Sequence, residues 1–411
     1  MQKFEKHSPV VVTEVTTKHE LRQFMQYPNR LYADNPNYIP SFYGDDLSDW
    51  TPGKNPAFDY CEARCWLAWR DGEIVGRIGA ILSHKANDKF GTHRMRFSQV
   101  DFVDDSEVSA ALFGTVERWA RQKGCDQVHG PLGFTDMDRE GMLVEGFDRR
   151  SLFFTNYNAP YYLEHLTRLG YRKDVDWIEY RISVPAPGSA EAERLHKLSE
   201  FILKRKHLHV ATLHHKSEYG PFVRQVFELV NAAYAPLYGV VELSDEQIER
   251  YANKFIPLVD PDFVCFVLDE QDKLVAFGVT TLDPSPALKH SDGRLFPFGW
   301  AEVLNDLHHG DTLIMLLTAV RPDLQTEGIN AVMMDHVCQS CNRHGVQFAE
   351  TGPMLELNDH ILAQWKRLEK EQHKRRRCFI KDLDHGINAA NAAAAAQAEA
   401  PEAAPAAESA E

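Results

Sequence analysis

Leu313 to Gly345, LIMLLTAVRPDLQTEGINAVMMDHVCQSCNRHG, is the stretch whose reading decides the fold. Leu313 to Val320 is a short, nearly unbroken apolar run, which suits a strand covered on both faces. Arg321-Pro322-Asp323 ends it, because proline donates nothing to a ladder and holds its own φ fixed. Gln325 to Asn330, QTEGIN, follows as a polar turn carrying one glycine. Ala331, Val332, Met333, His336 and Val337 then recur at helical spacing up to Gly345, a helix stop. A glycine-bearing turn that opens a helix presents several unpaired N–H groups in one direction, at the positive end of the helix dipole. That arrangement suits phosphate.

Around this unit the composition bounds the answer. A chain of 411 residues exceeds one typical domain, and about two are expected. Hydrophobic content of 44% with 26% charged residues describes a soluble globular protein. Net charge is −15, and the four glutamates of 386–411 account for four of these, leaving −11 on the body. Such a body repels nucleic-acid phosphates, so no nucleic-acid partner is expected. The N-terminus lacks the apolar core of a signal peptide, and no run approaches the roughly 18 apolar residues of a membrane span. The expected location is cytoplasmic, with peripheral membrane contact left open. Seven scattered cysteines read as reduced thiols. Cys338-x-x-Cys341 with His344 has the look of half a zinc site. No second ligand pair lies nearby and both cysteines fall inside the predicted helix, so they read as packing residues and no metal is expected.

Along the chain, Val10 to Val15 reads as a strand and Lys18 to Gln26 as a helix. Cys65 to Leu82 is a hairpin turned at Asp71-Gly72. Arg96 to Phe102 is a strand. Ser106 to Lys123 is an amphipathic helix with Val108, Leu112, Val116 and Trp119 on one face. Asp126 to Gly130 is a strand, Tyr161 to Leu169 a helix and Trp177 to Val184 a strand. Pro185 to Glu193 (PAPGSAEAE) marks a boundary. Beyond it come a helix from Glu191 to Lys206, a strand from His209 to His214, two helices (Pro221 to Tyr234, Ser244 to Phe255) and a hairpin from Phe263 to Thr281. After the opening unit stand a strand from Gln347 to Glu350, a helix from Asn358 to Glu369 and a last strand from Arg377 to Leu383. The order repeats: Val75-Gly76 answers Phe277-Gly278, Gly124 answers Gly345, Gly130-Pro131 answers Gly352-Pro353, and Asn158 answers Asn358. A tandem duplication follows, with domains at 9–185 and 190–384 and a disordered Ala/Glu/Pro tail at 386–411.

QTEGIN resembles the acyl-CoA pyrophosphate loop of the GNAT superfamily of N-acyltransferases, written Q/R-x-x-G-x-G/A. Gln325 and Gly328 match, and Asn330 departs from the usual Gly or Ala. NPNYIP, DGEIVGRIGA, HGPLGF and YYLEHLTRLGY are similar to phrases of a bacterial family of tandem GNAT-like proteins. The resemblance covers about residues 9–383. It implies an α/β (α+β) mixed sheet in each of two GNAT-like domains, splayed where the phosphate-loop strand meets the next, with the acyl thioester in the splay. It also implies an acyltransferase that moves an acyl group from acyl-CoA, or from acyl carrier protein, to a primary amine on a small molecule or lipid. Long-chain versions resemble N-acyl amino acid synthases and bacterial ceramide synthases. Two alternatives stand beside it. One is an aminoacyl-tRNA-dependent transferase of the Fem type, which the body's charge opposes. The other is a binding module that has lost its chemistry.

The first half has Val103-Asp104-Asp105-Ser106 where the phosphate loop belongs, and its carboxylates repel pyrophosphate. The resemblance therefore implies a donor site in the second half, on Gln325, Thr326, Glu327, Gly328, Ile329 and Asn330. Backbone N–H groups near Thr318 to Val320 would meet the thioester oxygen, and Asn358 and His360 would orient CoA or the thiolate. Glu350, at a strand end beside the splay, is the expected base, with His360 beside it as a second catalytic residue. No tyrosine stands where the family usually supplies the thiolate's proton, so the acid is left open. Arg77, Asp136 and Tyr161 of the first half are the expected substrate contacts. The basic run Lys374-Arg375-Arg376-Arg377 reads as a solvated lead-in to the last strand.

Overall fold

The computed structural model describes residues 8–383, and the tail at 386–411, with residue 384 of the second expected domain, lies outside them. Among the described residues fourteen strands join in one mixed sheet. The first half supplies β1 (Val11–Glu14), β2 (Cys61–Arg70), β3 (Glu73–Ser83), β4 (Arg94–Phe102), β5 (Gln127–Gly130), β6 (Met142–Glu145) and β7 (Arg172–Ser183). The second supplies β8 (His209–Val210), β9 (Val264–Leu268), β10 (Leu274–Leu282), β11 (Thr312–Val320), β12 (Phe348–Thr351), β13 (Met354–Leu355) and β14 (Lys370–Asp382). Only β4 with β5 and β11 with β12 run parallel. The β2–β3 hairpin turns at Asp71 (φ 52°) and Gly72 (φ 80°), the two left-handed residues that a tight two-residue turn demands.

Strand order is β1-β2-β3-β4-β5-β14-β7-β12-β11-β10-β9-β8, with β6 beside β14 and β13 beside β7. The two halves have therefore exchanged strands. β14, last in the chain, lies against β5 of the first half, while β7 lies against β12 of the second. The sheet runs unbroken across the segment where the sequence places a domain boundary.

The exchange corrects the reading of the basic run. Lys374 to Arg377 is not a solvated lead-in but the middle of β14, which starts at Lys370 rather than at Arg377. Lys374 and Arg376 are buried, and Arg376 Nε donates to Glu179 Oε1 at 2.5 Å. Lys374 Nζ stands 3.2 Å from Glu350 and 3.5 Å from Glu179. Arg375 and Arg377 both reach Asp176, at 3.1 and 2.7 Å. A run of like charges along one strand looks solvated until the acidic strand it pairs with is known.

Helices cover both faces of each half. Ser106–Gln122 buries Val108, Leu112, Val116 and Trp119 as its spacing predicts. It lies so close to β3 that a Cβ on Gly76 would stand 2.8 Å from Leu112 Cδ1. In the second half Gly220–Tyr234 and Asp245–Phe255 pack on one face, and Asn330–His344 and Ala190–Lys206 on the other. Two helices with no counterpart in the sequence reading, Ser285–His290 and Gly299–His309, stand between β10 and β11. The helix after Asn358 is only Asp359–Ala363, continued by a 3-10 turn at Gln364–Arg367. No helix among the described residues is long and apolar enough to cross a membrane.

Candidate active site

β11 keeps β12 as its partner only from Thr312 to Met315. There β12 ends, and Gly352-Pro353 carries the chain across to β13. Opposite, the pairing with β10 skips Leu316, a bulge that adds twist where the strands part. Leu316 to Val320 thus have a free edge, whose backbone groups need other partners. Tyr234 Oη donates to the Thr318 carbonyl at 2.8 Å, and Gln325 Nε2 to the Val320 carbonyl at 3.4 Å. A strand residue sends its N–H and C=O to the same side, so the N–H groups of Thr318 and Val320 share this edge.

The turn after β11 has the form its sequence predicts. Gly328 sits at φ +80°, in the left-handed region that favours glycine. Among the described residues the N–H groups of Gln325, Thr326, Gly328 and Ile329 have no hydrogen-bond partner, and the helix Asn330–His344 has no side-chain cap. Glu327 is drawn aside by Lys206 at 2.6 Å. A cleft of about 380 Å³ runs from here between the parted strands. Thr318, Val320, Gln325, Asn330, Asn358 and His360 all line it, so most of the residues expected around the donor meet in one place. Asn358 also caps its helix, accepting from the Ile361 N–H at 3.3 Å.

A second cavity, about 240 Å³, opens from the same cleft through Tyr234 and Pro353. Its walls are apolar side chains from Gly220–Tyr234, Asp245–Phe255 and β11, among them Val226, Phe227, Phe255 and Leu317. Asp136, Asp138 and Glu140 stand at it, delivered by the loop that follows β5. Asp138 anchors that loop, accepting the N–H groups of Phe134 (2.8 Å) and Thr135 (3.2 Å) and the Tyr251 hydroxyl (3.2 Å). Asp136 and Glu140 line both the cleft and the apolar cavity. Burial raises the Asp136 carboxyl to about 6, with the charge of Asp138 adding to it, and Oδ1 of Asp136 is buried without a partner. Burial, then the neighbouring Asp136, pushes Glu140 up further. A third apolar cavity of about 170 Å³ lies behind the splay and shares Tyr234 with the other two.

Other expected residues lie elsewhere. Glu350 lines none of these three cavities and is held by Lys374, with burial raising its carboxyl and Lys374 opposing. Arg77 is locked in the first half by Asp101 (2.7 Å), the Phe24 carbonyl (2.8 Å) and Gln99 (2.9 Å). Tyr161 donates to the Phe102 carbonyl, while Tyr162 accepts the Phe102 N–H at 2.8 Å. These tyrosines fill the free edge of β4, the first-half counterpart of the β11 edge. The helix N-terminus beyond it is closed as well. Asp105 caps Glu107 N–H and is clamped by Arg70 at 2.6 Å, and Asp104 meets His165 at 2.9 Å. Cys338 Sγ faces the Pro185 carbonyl, and His344 pairs with Asp262 instead of turning to the cysteines. His129, Asp174 and Cys378 do cluster, around the Tyr238 hydroxyl, which lies within 3.4 Å of each.

Sequence reasoning missed Glu140 and Tyr234, and although the aromatic content allows an apolar tunnel, it did not place the cavity. The acidic alternation Asp136, Asp138, Glu140 was visible as spacing, but the wall it faces is built from helices nearly a hundred residues later.

No family model matches the chain. It is 27% identical over 383 residues to Protein YghO of Escherichia coli (strain K12), covering 91% of this chain and 95% of the relative. It is 28% identical over 299 residues to the bacterial ceramide synthase of Caulobacter vibrioides, covering 71% and 75%. Among solved structures, a tandem GNAT protein from the clavulanic acid biosynthesis pathway superposes with a TM-score of 0.52 at 14% identity, over 91% of this chain and 99% of that one.

Proposed function

This chain has the tandem GNAT fold, and we propose that it is an N-acyltransferase that moves a long acyl group from CoA to a primary amine carried by a lipid-like molecule. The observation that carries the reading is the junction at Tyr234. There a cleft that begins at unpaired N–H groups meets an apolar cavity with carboxylates at its mouth. Free N–H groups at Gln325, Thr326, Gly328 and Ile329 suit a pyrophosphate, at the positive end of the Asn330–His344 dipole. Thr318 and Val320 offer N–H groups to the thioester oxygen, which gains charge as the amine attacks. Asn358 and His360 face the donor along the same cleft. Acyl carrier protein shares the pantetheine arm but lacks the pyrophosphate, so the turn favours CoA.

The amine needs a group to take its proton. Asp136 fits: it lines both spaces, has one oxygen free, and with a pKa of about 6 it is mostly ionised at neutral pH yet basic enough to work. Asp138, beside Asp136 at the same cavity, favours a cationic substrate head, and the apolar walls favour a long chain. A ceramide is an amide of a fatty acid with a long-chain amine, the class of product these cavities suit. The first half, closed by Tyr161, Tyr162 and its own carboxylates, contributes Asp136 and Glu140 rather than a donor site.

Equilibrium dialysis tests the donor. A long-chain acyl-CoA should bind more tightly than acetyl-CoA. Gly328→Glu should abolish binding, because it puts a carboxylate among the phosphate donors and a side chain at φ +80° with Ile202 3.2 Å from its Cβ. Unchanged affinity in that variant would sink the assignment.

A further inference from the structure

The insertion between β10 and β11 ends in an apolar tip. Phe296 is 81% exposed, Phe298 76%, Trp300 47% and Leu304 41%. Scattered exposed apolar residues need no explanation, but four large ones on adjacent turns do. We propose that this tip, residues 294–304, seats the protein on the surface of a phospholipid bilayer.

Three observations favour lipid over a protein partner. Within residues 294–304 the ionisable side chains are Arg294, a cation suited to lipid phosphate, and Glu302, which pairs with His290 at 2.7 Å. Part of the tip's polar set is already paired within the tip. Trp300 Nε1 donates to the Pro297 carbonyl at 3.1 Å, Trp300 N–H to Leu295 at 2.8 Å and Ala301 N–H to Phe298 at 3.0 Å. The N–H groups of Leu295, Phe296, Phe298 and Gly299, which have no partner among the described residues, would meet the phosphate and ester oxygens of the headgroup layer. Phenylalanine and tryptophan rings prefer the boundary between headgroups and acyl chains. The third observation is continuity with the site. The root of the tip, Leu288, Leu295, Val303 and Leu307, packs against Phe154 and Leu316, which line the 240 Å³ cavity. Docking would bring the bilayer to the wall of the space assigned above to a lipid-like substrate. This purpose rests on that assignment; the docking itself does not.

The test is cosedimentation of the full chain with vesicles of phosphatidylcholine, and of phosphatidylcholine with phosphatidylglycerol, at low and high salt. Binding to both is expected, with little effect of salt, since insertion rather than charge drives it. F296S/F298S should lower the partition coefficient about tenfold or more. Both side chains are exposed, so its thermal midpoint should not change. Its vesicle-free affinity for acyl-CoA should not change either. No binding by the parent chain would overturn the proposal, as would binding that the double variant retains or that high salt abolishes. A double variant that loses self-association in solution instead of vesicle binding would make the tip a protein interface. Vesicle binding without any acyl-CoA binding would remove the proposed activity and leave the docking surface standing.

Discussion

As the proposed base, Asp136 trades stability for chemistry. Burial and Asp138 raise its pKa from 3.8 to about 6, so between those values the folded chain holds a proton that the unfolded chain has released. Stability then falls as pH rises through that window, and the loss stays in place above it. A rise of that size corresponds to at most about 3 kcal/mol, less what solvent screening removes at a half-open site. Asp136→Asn should therefore gain stability at pH 7 and match the parent at pH 4, a difference that urea unfolding at the two pH values would read. The same variant should lose about a hundredfold or more in kcat, because the other unbonded carboxyl at the junction, Glu140, is pushed up by burial and by Asp136 and is held protonated. The parent's kcat/KM should fall as pH drops below about 6. A variant that keeps full turnover would return the base to another carboxylate, Glu140 or Glu350.

Among the elements, β7 and β14 decide the architecture, and they mark where sequence reading stops. Period, turn residues and the repeated Gly-Pro made the hairpins, the helix Ser106–Gln122 and the duplication legible, because each depends on neighbours a few residues apart. The turn at Gln325 to Asn330 was legible for the same reason. Which strand lies beside which is a long-range fact. Nothing in Lys374 to Arg377 says that Asp176 and Glu179, two hundred residues earlier, lie opposite. Asp136 could be picked out as a carboxylate, but its cavity could not, since Tyr234 and Phe255 come from the other half. The exchange makes a checkable claim about these strands. Arg376 and Glu179 are both fully buried. Arg376→Met leaves the buried Glu179 carboxylate only Lys374, at 3.5 Å, and should cost about 3 kcal/mol in urea unfolding, whereas Arg376→Met with Glu179→Leu should recover most of that. If the single variant is neutral, the buried pair is not what holds the two strands together.

For the whole molecule, strand exchange means that neither half is a self-sufficient domain, although each carries the elements of one. Without β14 the first half leaves β5 with an open edge, and without β7 the second half does the same at β12. Open, flat, apolar edges invite wrong pairing. The candidate cleft also draws on both halves, because Asp136 and Glu140 arrive from the first half on a loop pinned to Tyr251 of the second. Chains ending at 185 and starting at 186, made separately, should each lack a cooperative thermal transition and should aggregate. Made together, they should assemble into one particle that regains both the transition and acyl-CoA binding. The long sequence separation of β5 from β14 also argues for slow folding, since loop closure precedes the contacts that reward it. A first half that melted cooperatively alone would show that β14 is an accessory to its sheet, and that the duplication still behaves as two independent folds.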